Sequence, residues 1–223
     1  MSWTGPVATE RTTVVAIAQQ KGGAGKTTLA LQLATALHAL GHAVCLVDID
    51  PQGSLSRWFE LRQRRRDPED ALVLVKAGGW RLSIELDRLR GQFRWVIIDT
   101  PPHAESDART ALRLADQVLV PCQPSLLDVW ASQPTLEAAV REGRRPVIVW
   151  NRVPSRGRAI DEARAALAET GVEGLPTGLG NRQAFIACVG QGQGVVEHEP
   201  RSAAAEEARA LAGELERRAR RAA

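Results

Sequence analysis

Short apolar runs alternating with helical stretches predict an α/β domain, with a mostly parallel sheet covered by helices on both faces. Three observations carry that reading. The runs Val14–Ala18, Ala43–Val47, Trp95–Ile98, Val118–Val120 and Pro146–Trp150 are short and lack polar alternation, as strands buried on both faces do. Helical candidates follow or separate them, near 27–40, 55–66, 81–90, 105–116, 132–142, 158–169 and 201–221. The 223 residues are 44% apolar and 25% charged, which suits one generous core, and no repeat or Pro/Ser-rich linker divides them. The expected organisation is a flexible tail over 1–13 and a single domain over 14–223.

The elements have local reasons. From Thr27 to Leu40, Leu29, Leu33, Leu37 and Leu40 share one helical face, and Gly41 stops the helix. Pro146 is compatible with a strand only at its first position. Glu206 and Glu207 open the last helix while Arg217, Arg218, Arg220 and Arg221 crowd its end, the polarity a helix dipole favours. Cys45, Cys122 and Cys188 lie far apart and form no C-x-x-C pair, so zinc and iron–sulfur frameworks have no support and a reducing cytoplasm is expected. No apolar run reaches the ~18–20 residues of a membrane span, and Met1–Pro6 has no basic stretch leading into an apolar core.

Net charge is only +3, yet 26 of the 29 cations are Arg. Two of the three lysines, Lys21 and Lys26, stand in one glycine-rich loop between a strand and a helix. Gly22, Gly23, Ala24, Gly25, Lys26, Thr27 and Thr28 form a phosphate loop of the deviant Walker A kind, with Gln20 where the strict pattern asks for Gly. Glycines let successive N–H groups turn toward one anion, and the helix N-terminus adds its positive end. Lys26 is expected on the β- and γ-phosphates of ATP, and Thr27 on Mg2+. The architecture is then that of a P-loop NTPase.

Two acidic strand ends support this. Asp48-Ile49-Asp50-Pro51-Gln52-Gly53 follows the second apolar strand, and Asp99-Thr100-Pro101-Pro102 follows another. Both set carboxylates at the C-terminal edge of a parallel sheet, where ligands bind in such folds. Asp99 is expected to hold Mg2+ through water, Asp48 to stand behind it, and Asp50 to orient the attacking water. Helix capping is the competing role for each Asp taken alone.

Together, Lys21–Thr28, Asp48–Gly53 and Asp99–Pro102 resemble three motifs of the ParA/MinD family of deviant Walker A ATPases, in order. Within it the chain looks like a short ParA-like partition ATPase, and the likeness spans roughly residues 14–216, through Val120–Pro124 and Trp150–Val153. The resemblance implies an ATP-dependent sandwich homodimer in which Lys21 crosses to the partner's phosphates, making Lys21, Lys26 and Asp50 the catalytic set. It implies an adenine contact for Asn151, for which a turn role before Pro154 is the alternative. It implies non-specific binding of double-stranded DNA, a cytoplasmic, nucleoid-associated location, and a cargo-adaptor protein that stimulates slow hydrolysis.

By position in the family pattern, Arg182 and Arg209 resemble DNA-contacting arginines; Arg217 and Arg218 belong to a C-terminal basic cluster, and Arg62, Arg64, Arg65 and Arg66 to a second. Only about 13 residues precede the first strand, too few for a helix-turn-helix domain. A membrane-associated switch is the alternative function, but the C-terminal helix offers one Leu among small alanines, so stable membrane insertion is not expected. A metabolic relative is the other alternative; Cys122, in a Pro-flanked turn, reads as a packing residue, and Trp58 as core.

Overall fold

The computed structural model describes residues 11–65, 70–102 and 105–222. Seven strands, β1 (Thr13–Ile17), β2 (Val44–Asp48), β3 (Val73–Lys76), β4 (Trp95–Asp99), β5 (Gln117–Cys122), β6 (Pro146–Val153) and β7 (Glu173–Gly180), form one sheet. Its order is β3-β2-β4-β1-β5-β6-β7, and every pairing is parallel. The helices are α1 (Lys26–Ala39), α2 (Ser54–Arg64), α3 (Leu82–Leu89), α4 (Glu105–Leu114), α5 (Leu126–Arg141), α6 (Ala159–Ala168), α7 (Ala184–Gly190), α8 (Val195–His198) and α9 (Ala203–Ala222).

Strand alternation builds two cores. Val15, Ile17, Leu46, Trp95, Ile97 and Leu119 face α1, α2 and α9, while Val14, Ala16, Val47, Val96, Ile98 and Val120 face α3, α4, α5 and α6. A strand buried on both faces needs no polar side, so the inner strands read as unbroken apolar runs.

Several elements depart from the sequence expectation. Of the expected tail, residues 1–10 lie outside the described residues, but Arg11–Thr13 are tied down. Thr13 opens β1, Thr12 Oγ1 donates to Phe93 O at 2.7 Å, and Arg11 pairs with Asp116. Edge strands β3 and β7 and short helices α7 and α8 have no counterpart in the sequence expectation. The fifth helix starts at Leu126 rather than 132, because Ser125 caps it and Pro134 is absorbed inside. In β7, Gly178 lets the strand press on β6, since a Cβ there would meet Trp150 O at 2.5 Å.

The order places β1 between β4 and β5, so the chain leaves the sheet centre in opposite directions. That is the switch point where ligands bind in open parallel sheets. In register, Ile17 faces Asp99, and Asp99 faces Asp48, so the motif residues converge at one edge.

Candidate functional site

The glycine-rich loop runs from the end of β1 into α1. Gly23 and Gly25 have φ of +74° and +96°, the left-handed region. Gly25 has a second constraint, because a Cβ there would lie 2.2 Å from Asn151 Nδ2. The first turn of α1 carries no acidic residue, which leaves its positive end to an external anion.

Lys26 is buried, and Nζ donates to Gln19 O at 2.9 Å. Burial lowers its pKa, opposed by Asp99 and Asp50. Thr27 Oγ1 donates to Asp99 Oδ2 at 2.7 Å. Asp99 is 1% exposed, and its Oδ1 has no hydrogen-bond partner among the described residues. Desolvation pushes the Asp99 carboxyl up to about 7; Thr27 and Lys26 pull it down, while Asp48 and Asp50 add to the rise.

Asp50 lines the same cleft as Gly22, Lys26 and Thr27, a cavity of about 370 Å3. Its Oδ1 accepts the Gln52 N–H at 2.9 Å, shaping the turn before α2. Asp48 departs from expectation. Its Oδ1 accepts Asp50 N–H at 3.1 Å, and its Oδ2 accepts both Ser56 N–H and Oγ–H at 2.9 and 2.6 Å. Both oxygens are thus engaged by the chain, and Asp48 has the geometry of a brace for the 48–56 loop.

Asn151 also braces. Its Nδ2 donates to Ala24 O at 2.8 Å, and its Oδ1 accepts Arg152 N–H at 3.0 Å. The amide expected on adenine is therefore committed to the phosphate loop. Arg152 has φ of +53°, the one non-glycine residue at positive φ among those described, and lines the cleft. Such backbone strain gathers at working sites. Trp58 is packed in the core and also borders the cleft.

Lys21 stands beside the cleft with Nζ 2.7 Å from Asp128 Oδ1. Sequence reasoning does not single out Asp128, although Ser125-Leu126-Leu127-Asp128 is an N-capping pattern.

The expected DNA residues do not form one patch. Arg182 lies just past the C-terminal end of β7, with Nε and Nη2 on Glu207 Oε1 at 2.9 and 2.7 Å. Arg209 donates to Pro200 O at 2.8 Å. Arg218 pairs with Glu173, the first residue of β7, so it and Arg182 are separated by that strand, roughly 23 Å at 3.3 Å per residue. Arg217 pairs with Glu214. The 62–66 cluster dissolves too. Arg62 is 3% exposed and donates to Glu197, Asp70 and Gly192 O; Arg64 and Arg65 are exposed, and Arg66 lies outside the described residues.

The apolar face of α9, including Leu211, Leu215 and Ala219, is buried in the core. Among the described residues no helix is long and apolar enough to cross a membrane. All three cysteines are free and buried. Burial pushes the Cys122 thiol up to about 11, which fits packing rather than reactivity.

The family model for the CobQ/CobB/MinD/ParA nucleotide binding domain matches residues 15–195. A maintenance of carboxysome distribution protein A from Gloeobacter kilaueensis is 35% identical over 210 residues, covering 92% of this chain and 94% of that one. The chromosome partitioning protein ParA of Caulobacter vibrioides is 34% identical over 148 residues, 49% of this chain and 55% of its own. Among solved structures, MinD of Pyrococcus horikoshii with Mg-ADP superposes with a TM-score of 0.78 at 19% identity, covering 95% of this chain and 99% of that one. An ATP complex of McdA from Cyanothece gives 0.73 at 21%, covering 91% and 94%. At those identities the two structures speak to the fold.

Proposed function

The chain belongs to the CobQ/CobB/MinD/ParA nucleotide-binding family, and from that footing we propose that it is a ParA-type ATPase that positions a cargo along DNA. The observation that carries this reading is the convergence of Lys26, Thr27, Asp50 and Asp99 on one cleft at the sheet's switch point. The relative matched along nearly its full length is named for carboxysome distribution, whereas the ParA match covers half of this chain. That favours a protein assembly over a chromosome as cargo.

ATP enters the cleft with its phosphates on the N–H groups of Gly22–Thr28. Lys26 exchanges the Gln19 carbonyl for phosphate oxygens, a move favoured because its buried ammonium now donates to a neutral oxygen and would then donate to charged ones. A Mg2+ ion fits the residues present, since the Asp99 Oδ1 atom is buried and unpartnered beside the Thr27 hydroxyl. Thr27 and Asp99 would hold it, directly or through water. When bound, it offsets phosphate charge. Asp50 orients a water toward the γ-phosphorus; water oxygen forms the new P–O bond as the bond to the ADP oxygen breaks. Asp48 keeps Asp50 in place through its backbone N–H.

In the ATP-bound pair, Lys21 of each chain reaches the phosphates held by the other, as an arginine finger does in trans. The triphosphate offers both lysines a charge to neutralise, and hydrolysis removes that differential affinity. Turnover is slow until an adaptor protein completes the site, and the ATP state binds nucleoid DNA in the cytoplasm without sequence preference. The test is binding to non-specific duplex DNA at fixed low salt with ATP, ADP or no nucleotide. Binding with ATP alone is expected. No binding in any state, or binding indifferent to nucleotide, overturns the DNA-positioning reading.

A further inference from the structure

Lys21 has a fixed place in the single chain. Its partner Asp128 is the third residue of α5, with a side chain 11% exposed against 39% for Lys21. That carboxylate is set before the lysine reaches it. Ser125, the cap of α5, donates its Oγ–H to Asp128 Oδ2 at 2.6 Å and accepts Asp128 N–H at 3.1 Å. The positive end of α5 favours a negative charge in its first turn. The approach to Lys21 is pinned to the same helix. Gln19 Nε2 donates to Ser132 Oγ at 2.9 Å, Thr135 Oγ1 donates to Gln19 Oε1 at 3.1 Å, and Gln20 N–H donates to Thr135 Oγ1 at 3.1 Å. Lys21 is therefore held at both its backbone approach and its ammonium.

We propose that Asp128 is a positioning residue that holds Lys21 inside the single chain and thereby sets how much phosphate charge is needed before two chains pair. The proposal rests on the cross-subunit role of Lys21 in the proposed function. A lysine that neutralises a partner's phosphates must first leave Asp128, and two such contacts break for each pair formed. A ligand shifts an equilibrium only by its differential affinity for the two states. The Lys21–Asp128 contact is subtracted from the Lys21–phosphate contact. A triphosphate exceeds that threshold and a diphosphate does not, so Asp128 sharpens the distinction between ATP and ADP.

The test is sedimentation velocity over a range of protein concentrations, with a slowly hydrolysed ATP analogue and Mg2+, or with ADP. Asp128→Asn keeps the shape and the capped turn while removing the charge. It is expected to tighten pairing with the analogue about tenfold, which is about 1.4 kcal/mol, and to allow measurable pairing with ADP. In a Lys21→Ala background, Asp128→Asn is expected to change nothing further. Damage to the fold would weaken pairing, so the expected sign separates a hold on Lys21 from a merely structural role. Asp128→Ser, which also suits a first helical turn, replaces Asp128→Asn if thermal melting shows the latter misfolded. Unchanged or weaker pairing in a folded Asp128 variant, with pairing still lost in Lys21→Ala, overturns the proposal alone. Pairing that survives Lys21→Ala overturns the cross-subunit reading beneath it.

Discussion

The phosphate-loop cleft and the β7–α9 edge both carry several charged residues, and they treat charge in opposite ways. In the cleft, Lys26 and Asp99 are buried, and Asp99 keeps an oxygen with no hydrogen-bond partner among the described residues. Along β7 and α9, Arg182, Arg217 and Arg218 are at least partly exposed and each already sits on a glutamate. Burying a charge without full pairing is costly, and a fold retains that cost where a ligand supplies the missing partner. Exposed ion pairs cost and contribute little. The contrast teaches that the count of arginines is a poor guide to positive surface, while one unpartnered buried oxygen marks a site.

The largest expected effect breaks the cleft side of this comparison. Lys26→Ala is expected to weaken ATP binding at least about a hundredfold, since a desolvated charge on phosphate is lost. Thermal melting without nucleotide is expected to hold or rise, because the replaced ammonium is one whose pKa burial already lowers. Equilibrium binding and a melting curve check both halves; retained affinity would remove Lys26 from the site.

Next is an arginine that belongs with the cleft by burial and with the surface by its place in a basic run. Arg62 donates to Glu197 at 2.9 and 2.8 Å and to Asp70 at 2.8 Å, ties α2 to α8, and lies over the Trp58 ring. Arg62→Ala leaves those carboxylates without their cation, and a loss of about 3 kcal/mol in urea unfolding is expected. Arg217→Ala, at an exposed pair, is expected to change stability by less than about 0.5 kcal/mol. Similar values for the two variants would erase the distinction between buried and exposed arginines.

Asp99 gives the comparison a pH dependence. Desolvation raises its carboxyl from 3.8 to about 7, so between those values the folded chain holds a proton that the unfolded chain has released. Stability of the nucleotide-free protein therefore falls as pH rises through that window, by at most about 1.4 kcal/mol per pH unit. Asp99→Asn is expected to flatten that slope and to stabilise the protein above pH 7, while ending Mg2+-dependent hydrolysis. Urea midpoints at several pH values read the first effect, phosphate release the second; an unaltered slope would mean that Asp99 is ionised throughout.

The same contrast explains what was legible in the sequence. Central strands β1, β2, β4, β5 and β6 are apolar on both faces and announce themselves, and the phosphate loop declares itself by glycine spacing and Lys26-Thr27. Edge strands hide. β3 has four residues and only partial burial, and β7, Glu-Gly-Leu-Pro-Thr-Gly-Leu-Gly, looks like a loop because its glycines answer to Trp150 on a neighbouring strand. Asp48 and Asn151 are legible as site residues but not as braces, since their partners Ser56 and Ala24 are set by the folded loops. Asp128 is hidden because Pro134 suggests a later helix start. Pairing is invisible throughout: nothing in the spelling of Arg182 or Arg62 names Glu207 or Glu197.

The smallest effect tests the surface side. Glu207 accepts both nitrogens of Arg182 and, through its other oxygen, the Gly180 N–H at 2.9 Å. Glu207→Gln keeps an acceptor for the backbone and removes the charge that holds Arg182. If Arg182 meets DNA phosphate, the ATP-bound protein is expected to bind duplex a few-fold more tightly, and each phosphate newly neutralised should steepen the log–log salt dependence by about 0.9. Adding Arg182→Ala should cancel that tightening. Arg218→Ala, at the far end of β7, should neither cancel nor mimic it, since Glu173 rather than Glu207 is its partner. Tighter binding that survives Arg182→Ala would mean that Glu207 acts by general repulsion of DNA, and the ion pair would then belong to the structural surface with Arg217 and Arg218.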